Sequence, residues 1–530
     1  MTMRHYFVIA AVVAVLLTLV LGAIWPPAFC LFLVVLPVIG LGIHDMVQTR
    51  HSIRRLYPFL GRFRYMLEAV RPEIQQYFVE SETSGTPIPR EFRSMVYQRA
   101  KGVRDTRPFG TIFDVQRSGY EWVNHSMAPV ELHGETPRVK VGGPDCKQPY
   151  SSSPLNISAM SFGSLSQNAI LALNKGAKIG NFSHNTGEGG LSPYHLQNGG
   201  DIIWQIGTGY FGCRDDQGEF NPERFQKKAA LDAVKMIEIK LSQGAKPGHG
   251  GILPAAKLTE EIAQIREVPM GQDVISPPAH SAFGTPLEML DFIQSLREIS
   301  GGKPVGIKMC LGRRDQFLSI VKAMLETGIK PDFITIDGTE GGTGAAPVEM
   351  TNSVGTPLRD ALIFINRALI GSGLRDDIKL IAAGKMFSAF HMLRSMALGA
   401  DIVNSARGMM LALGCIQSRA CNSDHCPTGI ATQNPSRNKA LVVTDKAQRV
   451  ANYHMETMQQ LVELLGAAGL QSLADLEPEH INRRVQGTEI KTYADLYPTI
   501  EPGCLLNDNS VPTHWSKIWQ QANPSSWKAA

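Results

Sequence analysis

Short apolar runs alternate with helical stretches from about residue 150, and this alternation restricts the possible fold more than any other feature. Eight β-prone runs follow one another, at residues 156–160, 181–185, 202–206, 236–241, 304–309, 332–337, 379–383 and 401–405. Helical patterns separate most of them, at residues 168–179, 286–299, 317–327, 356–369 and 388–398. The second helix has Thr285 as its N-cap and Pro286 at its first position. Eight strand–helix units in series predict an α/β fold, a closed parallel (β/α)8 barrel of the TIM type.

Glycine and polar residues collect where the predicted strands end, which is the catalytic face of such barrels. Residues 341–344 follow the sixth strand, Gly384 the seventh and Gly408 the eighth. Bare backbone N–H groups near helix N-termini are suited to bind a phosphate, although the same glycines can also be plain turns.

The connection between the fourth and fifth strands, residues 242–303, is unusually long and rich in glycine. Long ordered loops on the top of a barrel usually carry function. Lys246 and Arg266 in this insertion could hold a small anion, although either residue alone is more often a solvated surface charge.

The start of the chain differs from the rest because it contains two uncharged apolar runs, at residues 6–25 and 29–43, with Pro26 and Pro27 between them. A spanning helix needs about 20 apolar residues, so we expect an N-terminal transmembrane helical hairpin. One span with an interfacial segment and a signal peptide are the competing interpretations. Arginines flank the hairpin and none lies in its turn, which predicts a multi-pass protein of the inner (cytoplasmic) membrane with its catalytic domain in the cytoplasm.

Composition and charge complete the predicted organisation. Residues 51–70 mix arginines with aromatic and aliphatic residues, which suits contact with anionic membrane lipid and equally an amphipathic helix covering the globular domain. The net charge of +4 gives no support to nucleic-acid binding. We expect four segments: the hairpin at 1–48, a basic lead-in at 49–150, the barrel at 151–475 and a C-terminal strap at 476–530.

Three of the eight cysteines are clustered, Cys415, Cys421 and Cys426, in a C-x5-C-x4-C pattern. Zinc requires four ligands, commonly two close pairs, and the candidate fourth ligand His425 abuts Cys426. A disulfide would leave one cysteine over, and a cytosolic compartment disfavours it. Three thiolates in a compact loop fit an iron–sulfur cluster that lacks one iron corner, and we expect the other five cysteines to be ordinary thiols.

Several further sequence blocks accompany this cysteine loop. They are ISAMSFGSLSQNA at 157–169, NTGEGG at 185–190, IEIKLSQGAKPGHGG at 237–251, VISPPAH at 274–280, IDGTEGGTGAAP at 336–347 and AAGKM at 382–386. In this order they resemble the synthase domain of the glutamate synthase large subunit, over about residues 150–470. The resemblance implies an FMN-binding barrel with a [3Fe-4S] cluster on Cys415, Cys421 and Cys426.

The resemblance also implies a reaction, and with it a role in glutamate biosynthesis. In that family, reduced FMN reduces the 2-iminoglutarate formed from 2-oxoglutarate and ammonia, and the cluster relays electrons, so we expect an oxidoreductase of the EC 1.4 class. Gln243, Lys246 and Arg266 match the residues that hold 2-oxoglutarate, and Lys246 and Glu188 match catalytic positions, although Glu188 suits a structural turn equally well. The implied FMN contacts are Met160, Ser161, Gln205, Lys240, Lys308, Asp337, Gly338, Gly342, Thr343, Gly344, Gly384, Arg407 and Gly408.

The chain also departs from the family pattern. We expect no glutaminase domain, so ammonia or an amine must come from elsewhere, and no dinucleotide-binding domain, so electrons must come from a donor such as ferredoxin or a reductase subunit. His249 replaces a family glutamate. Two alternatives therefore remain: another amine or 2-oxo acid, as in N-methylglutamate synthases, or a membrane flavin and iron–sulfur electron-transfer protein.

Overall fold

The computed structural model describes residues 2–103, 106–132 and 136–528. The chain forms two compact units, one up to Pro87 and one from Ile88 onward. The expected four-segment division, with boundaries at 48, 150 and 475, stays a prediction.

The regular elements of the N-terminal unit are all helical. Its helices are Met3–Ile24, Phe32–Val47, Ser52–Leu56 and Gly61–Ile74, with a 3₁₀ turn at Pro26–Leu31 and a π turn at Gln75–Val79. Pro26 and Pro27 occupy the first turn of the 3₁₀ segment, where a missing N–H is tolerated. The stretches Met3–Ile24 and Pro26–Val47 are each long and apolar enough to cross a membrane, as the two apolar runs predict.

Eight parallel strands close a barrel in the second unit. They are β1 (Leu155–Ile157), β2 (His184–Asn185), β3 (Ile202–Ile206), β4 (Val234–Lys240), β5 (Val305–Met309), β6 (Phe333–Asp337), β7 (Lys379–Ala383) and β8 (Ile402–Ser405). Each strand pairs with its neighbours in sequence, and β8 pairs with β1, with Asn404 opposite Asn156. The barrel predicted from the alternation of runs is confirmed.

Strand lengths differ from the prediction mainly at the start of the barrel. β1 ends at Ile157 rather than 160, and β2 begins at His184 rather than 181. Asn181 has a φ of 54° as the left-handed C-cap of the preceding helix, so it cannot be part of a strand. Phe182 is buried outside the strand, with its ring 3.9 Å from that of His454.

Helices surround the barrel and complete the unit. They are Arg90–Ala100, Gln167–Gly180, Pro193–Leu196, Pro222–Ala229, Glu260–Arg266, Pro286–Ile299, Arg314–Thr327, Val348–Ser353, Leu358–Gly371, Ala389–Met396, Arg407–Leu413, Pro435–Lys439, Val443–Ala467, Tyr493–Leu496 and Thr513–Gln521, with 3₁₀ turns at Ala255–Lys257, Leu473–Asp475, Pro478–His480 and Asp508–Ser510. Thr285 caps Pro286–Ile299 by accepting a hydrogen bond from the Glu288 N–H at 3.2 Å, as predicted.

Short antiparallel strands lie outside the barrel. Glu121–Val123 pairs with Ile481–Gln486, which pairs with Glu489–Thr492, and Ile252–Leu253 pairs with Val274–Ile275 in the insertion. In the C-terminal region, the Trp515 ring stacks on Phe364 at 4.7 Å.

The N-terminal end of the barrel is closed by a hairpin of Val139–Val141 and Tyr150–Ser152. Its residues Val141 and Tyr150 form one buried cluster with Ile203, Met236, Phe333, Ile381 and Ile402 from the strands. Within the described part of the chain, this apolar plug fills the N-terminal end of the barrel, whereas polar residues collect at the C-terminal end.

Candidate active site

A buried carboxylate lies at the centre of the barrel, beneath the C-terminal face. The Glu238 side chain accepts hydrogen bonds from Asn185 Nδ2 at 2.8 Å, Gln205 Nε2 at 2.6 Å and Thr335 Oγ1 at 2.6 Å. Glu238 is only 1% exposed, and a buried polar group of this kind requires such partners. It fixes the amide orientations of Asn185 and Gln205, side chains from two neighbouring strands.

Two lysine–carboxylate pairs lie near Glu238 and its hydrogen-bond partners. Lys240 Nζ is 2.9 Å from Glu188 Oε2, and Lys308 Nζ is 3.5 Å from Asp337 Oδ2. Burial acts to lower the pKa of Lys308, but the carboxylates of Asp337, Glu238 and Glu188 outweigh it, so its pKa is raised. Lys308 therefore holds a fixed positive charge at the end of β5.

Glu188 is an ionised carboxylate surrounded by cations. Burial acts to raise its pKa, but Lys240, Lys246 and Arg266 together hold the pKa below its usual value. Gly251 leaves the space that this carboxylate needs, since a Cβ at that position would lie 2.1 Å from Glu188 Oε1. The GEGG turn and the long insertion therefore meet at Glu188.

The insertion supplies two nearly buried cations to the same place. Lys246 is 2% exposed and donates to the Ala345 carbonyl at 3.0 Å, and burial lowers its pKa to about 8. Arg266 is 4% exposed, and burial lowers its pKa to about 10 against the opposing effect of Glu188. Its Nη2 donates to Phe162 O at 3.2 Å and contacts Ser161 Oγ at 3.4 Å, whereas its buried Nε has no partner. A buried donor without a partner is available to a ligand carboxylate.

The glycine turns after β6 and β7 lie near two cations. Arg407 donates to Glu340 O at 2.6 Å, and its Nε would be 2.9 Å from a Cβ at Gly342. Burial and the nearby Arg407 lower the pKa of Lys385, so these two cations lie close enough to repel each other. Such a pair next to bare backbone is suited to bind a dianionic phosphate.

The strand ends are close enough to require glycine at one further position. A Cβ at Gly244 would lie 1.7 Å from the Gly338 carbonyl oxygen, and its N–H donates to Asp337 Oδ2 at 3.0 Å. Gln243 Nε2 reaches Thr343 Oγ1 at 3.4 Å. The start of the insertion is thus fastened to the glycine-rich turn after β6.

The three clustered cysteines lie in one loop and affect one another. Burial raises the pKa of Cys415 to about 11, with a further rise from Cys421 and Cys426. Burial also acts to raise the pKa of Cys426, but hydrogen bonds from Thr428 and from neighbouring backbone N–H groups lower it below its usual value. Gln417, Arg419 and Asp424 have φ values of 58°, 58° and 63°, a left-handed conformation that is concentrated at ligand-binding loops.

A single metal ion has no evident site in this loop. Among residues 2–103, 106–132 and 136–528, no three His, Cys, Asp or Glu side chains are grouped so that they could hold one ion. His425, the candidate fourth zinc ligand, instead has Nδ1 2.5 Å from the Ser423 carbonyl.

Comparison with known proteins decides the family. Residues 130–471 match the model of the conserved region in glutamate synthase. The chain belongs to the glutamate synthase family. The glutamate synthase large subunit-like protein YerD of Bacillus subtilis is 38% identical over 507 residues, which cover 87% of this chain and 96% of that protein. Glutamate synthases are oxidoreductases that act on CH–NH2 groups, so this chain is an oxidoreductase of that class.

Other relatives match over a smaller part. The archaeal NADPH glutamate synthase of Methanocaldococcus jannaschii is 37% identical over 325 residues, so the chain spans 60% of that relative's length. A solved structure of mandelate oxidase aligns with a TM-score of 0.42 at 14% identity, over 76% of this chain and 98% of that one.

Most of the predicted site residues of this glutamate synthase family member fall into two groups. Around Glu188 lie Lys240, Lys246 and Arg266, with Met160 and Ser161 close to the adjoining Gly187. Around the glycine turns lie Gln243, Thr343, Gly342, Gly384 and Arg407, and Gly344 is open. A Cβ at Gly408 would lie 2.5 Å from Ser405 Oγ, so a side chain is not accommodated there. Its predicted contact with FMN stays a prediction.

Three residues of the site were missed by sequence reasoning. Glu238 is two residues before Lys240 on β4, so its side chain lies on the same side of the strand, and this spacing could have revealed it. Lys385 directly follows Gly384 and could also have been found. Lys257 gave no local signal: it lies in a short 3₁₀ turn of the insertion and contacts the cysteine loop only in the folded chain.

Proposed function

We propose that this chain catalyses the reductive amination of 2-oxoglutarate to L-glutamate, with FMN and a [3Fe-4S] cluster and with ammonia that another source supplies. The observation that carries the proposal is the convergence of Lys246 and Arg266 on the ionised Glu188. A dicarboxylate needs fixed cations, and Arg266 retains a buried, unpartnered Nε–H for it. An electron-transfer protein has no need of this pair.

The residues present fit FMN. Arg407, Lys385 and the bare backbone of Gly342 and Gly344 suit its phosphate, and Gln205, Lys240 and Lys308 suit the ring. Lys308 would favour negative charge on the ring, because its ammonium is held protonated by three carboxylates. Bound FMN would supply the hydride for the reduction.

Protein groups would perform the remaining tasks. Arg266 and Lys246 would orient the substrate carboxylates, and the Lys246 ammonium would stabilise negative charge at the keto or imine centre. Glu188 would hold an ammonium or amine by hydrogen bonding or accept its proton, since its carboxylate is ionised and lies 2.9 Å from Lys240 Nζ.

The cysteine loop suits an iron–sulfur cluster through its three thiols. These thiols are close enough to influence one another. Hydrogen bonds from backbone N–H groups favour the thiolate form of Cys426, and a thiolate is the form that binds iron. Electrons would arrive from a partner such as ferredoxin or a reductase subunit.

We also propose membrane attachment through the hairpin. Apolar side chains such as Val12 and Leu33 are exposed on its helices, and exposure of such a surface to water is unfavourable. Arg50, Arg54 and Arg55 follow the hairpin and suit anionic lipid at the cytoplasmic face of the inner membrane.

The test uses anaerobically purified chain with reduced flavin. We expect 2-oxoglutarate with ammonium to reoxidise the flavin and to yield L-glutamate. If flavin reoxidation is faster with methylamine than with ammonium, the alternative function with another amine is favoured. His249 in the insertion, which replaces a family glutamate, is the specific reason to consider that alternative. The proposal is wrong if flavin-loaded protein transfers no electrons to any 2-oxo acid with either nitrogen source.

A further inference from the structure

The loop that follows β1, residues 161–166, is held through its carbonyl groups by side chains from two other segments. Arg266 and Lys257 come from the insertion, and Gln433 comes from the end of the cysteine loop. The contacts are Arg266 Nη2 to Phe162 O at 3.2 Å, Gln433 Nε2 to Gly163 O at 3.0 Å and to Leu165 O at 2.9 Å, and Lys257 Nζ to Ser164 O at 2.6 Å. Four consecutive carbonyls are therefore bound by three side chains.

Lys257 also reaches the cysteine loop directly. Its Nζ donates to the Cys421 carbonyl at 3.4 Å as well as to Ser164. The residue is 2% exposed, and burying an ammonium is expensive unless nearby groups compensate. The side chains around it that offset this cost are those of Asp424, Cys421 and Cys426.

We propose that Lys257 is a positioning residue for the iron–sulfur site, which clamps the cysteine loop to residues 161–166 and holds a positive charge beside the cluster. The inference rests on the proposed function, because it assumes a cluster on the three cysteines. A positive charge close to an anionic cluster stabilises its reduced form and so raises its reduction potential.

The clamp also connects the two ends of the site. Lys257 and Arg266 lie on the same stretch of the insertion, at Ala255–Lys257 and Glu260–Arg266, and both bind residues 161–166. Met160, just before that loop, and Ser161, its first residue, are predicted to contact the flavin. Lys257 therefore fixes the cysteine loop relative to residues 161–166, the segment that leads to the predicted flavin contacts.

A matched control is available in Lys303. It is also buried, and its Nζ donates to two carbonyls, Ala229 O at 2.6 Å and Leu231 O at 2.8 Å. These contacts are at the N-terminal end of the barrel, before β5. Lys303→Met thus removes a buried lysine with two carbonyl acceptors and leaves the cysteine loop untouched.

Two measurements on full-length holoenzyme test the proposal. Hydrogen exchange of residues 415–433 should be at least about tenfold faster in Lys257→Met than in the wild type. The reduction equilibrium of the cluster, followed by electron paramagnetic resonance during redox titration, should shift at least about tenfold toward the oxidised form, which is about 59 mV for one electron. Lys257→Arg should keep the exchange rate and the reduction potential at their wild-type values, and Lys303→Met should change neither quantity.

Each outcome decides something. If Lys257→Met keeps the wild-type exchange and potential, or if Lys303→Met reproduces the changes, Lys257 is not the clamp. Should Lys257→Met fail to fold, Lys257→Gln removes the charge while it keeps a donor, and the same readouts apply. Iron-free wild type would overturn the proposed cluster and the electrostatic role together, whereas the exchange rates would still decide whether Lys257 fastens the loop.

Discussion

Replacing Arg266 with lysine tests the proposed substrate site directly. The change keeps the positive charge but removes the planar group whose Nε–H is buried without a partner. Lysine is shorter and cannot make two parallel hydrogen bonds to one carboxylate. We therefore expect weaker binding of 2-oxoglutarate in Arg266→Lys, with the barrel intact.

The magnitude follows from the bonds that are lost. A hydrogen bond to a charged group contributes about 1.5–3 kcal/mol, and each 1.4 kcal/mol is tenfold in affinity. Loss of one such bond to the substrate predicts an increase in KM of roughly 10- to 150-fold. The bonds of Nη2 to Ser161 and Phe162 are long, at 3.4 and 3.2 Å, so their loss adds little.

The assay is steady-state reoxidation of reduced enzyme at increasing 2-oxoglutarate concentration, with direct titration of binding by the flavin spectrum. A substitution that weakens binding of the substrate and of the transition state equally raises KM and leaves kcat nearly unchanged. Arg214→Lys is the control, because Arg214 is 5.8 Å from the same Phe211 ring that Arg266 approaches at 5.3 Å. Unchanged KM in Arg266→Lys, or an equal rise in Arg214→Lys, would refute the assignment.

Three further outcomes are expected. Burial lowers the pKa of Lys246 to about 8, so loss of its proton should weaken binding of 2-oxoglutarate as the pH rises. The KM for 2-oxoglutarate should increase up to about tenfold per pH unit above 8. A KM that does not change with pH in the wild type, or the same pH dependence in Lys246→Met, would contradict this. Gly251→Ala places a Cβ 2.1 Å from Glu188 Oε1, so the carboxylate must move and kcat should fall at least about tenfold. The control Gly312→Ala, which has no atom within 4 Å of its added Cβ, should leave kcat unchanged. Equal kcat values in the two variants would argue against a catalytic role of Glu188. Full-length protein should resist alkaline extraction from membranes, because two helices meet the spanning requirement; its release would disprove anchoring, and removal of residues 1–48 should make the chain extractable.

The sequence was sufficient for the order of elements because that order depends on local patterns. Strand periodicity, helix caps such as Thr285 and runs of uncharged residues are all encoded within a few consecutive positions. The β3 and β7 bounds agree with the prediction, whereas β2 was predicted too long. Its limit depends on Asn181, whose left-handed conformation caps a helix, and on Phe182, whose packing partner His454 is far away in sequence.

By itself, the sequence determined the barrel, the apolar hairpin and the cysteine spacing, because each is a property of neighbouring residues. Only the tertiary structure decided that Glu238 is the shared acceptor of three strands and that Lys257 joins the insertion to the cysteine loop. These contacts connect residues far apart in the chain, and burial makes them necessary: a carboxylate or ammonium removed from water must find partners wherever the fold brings them.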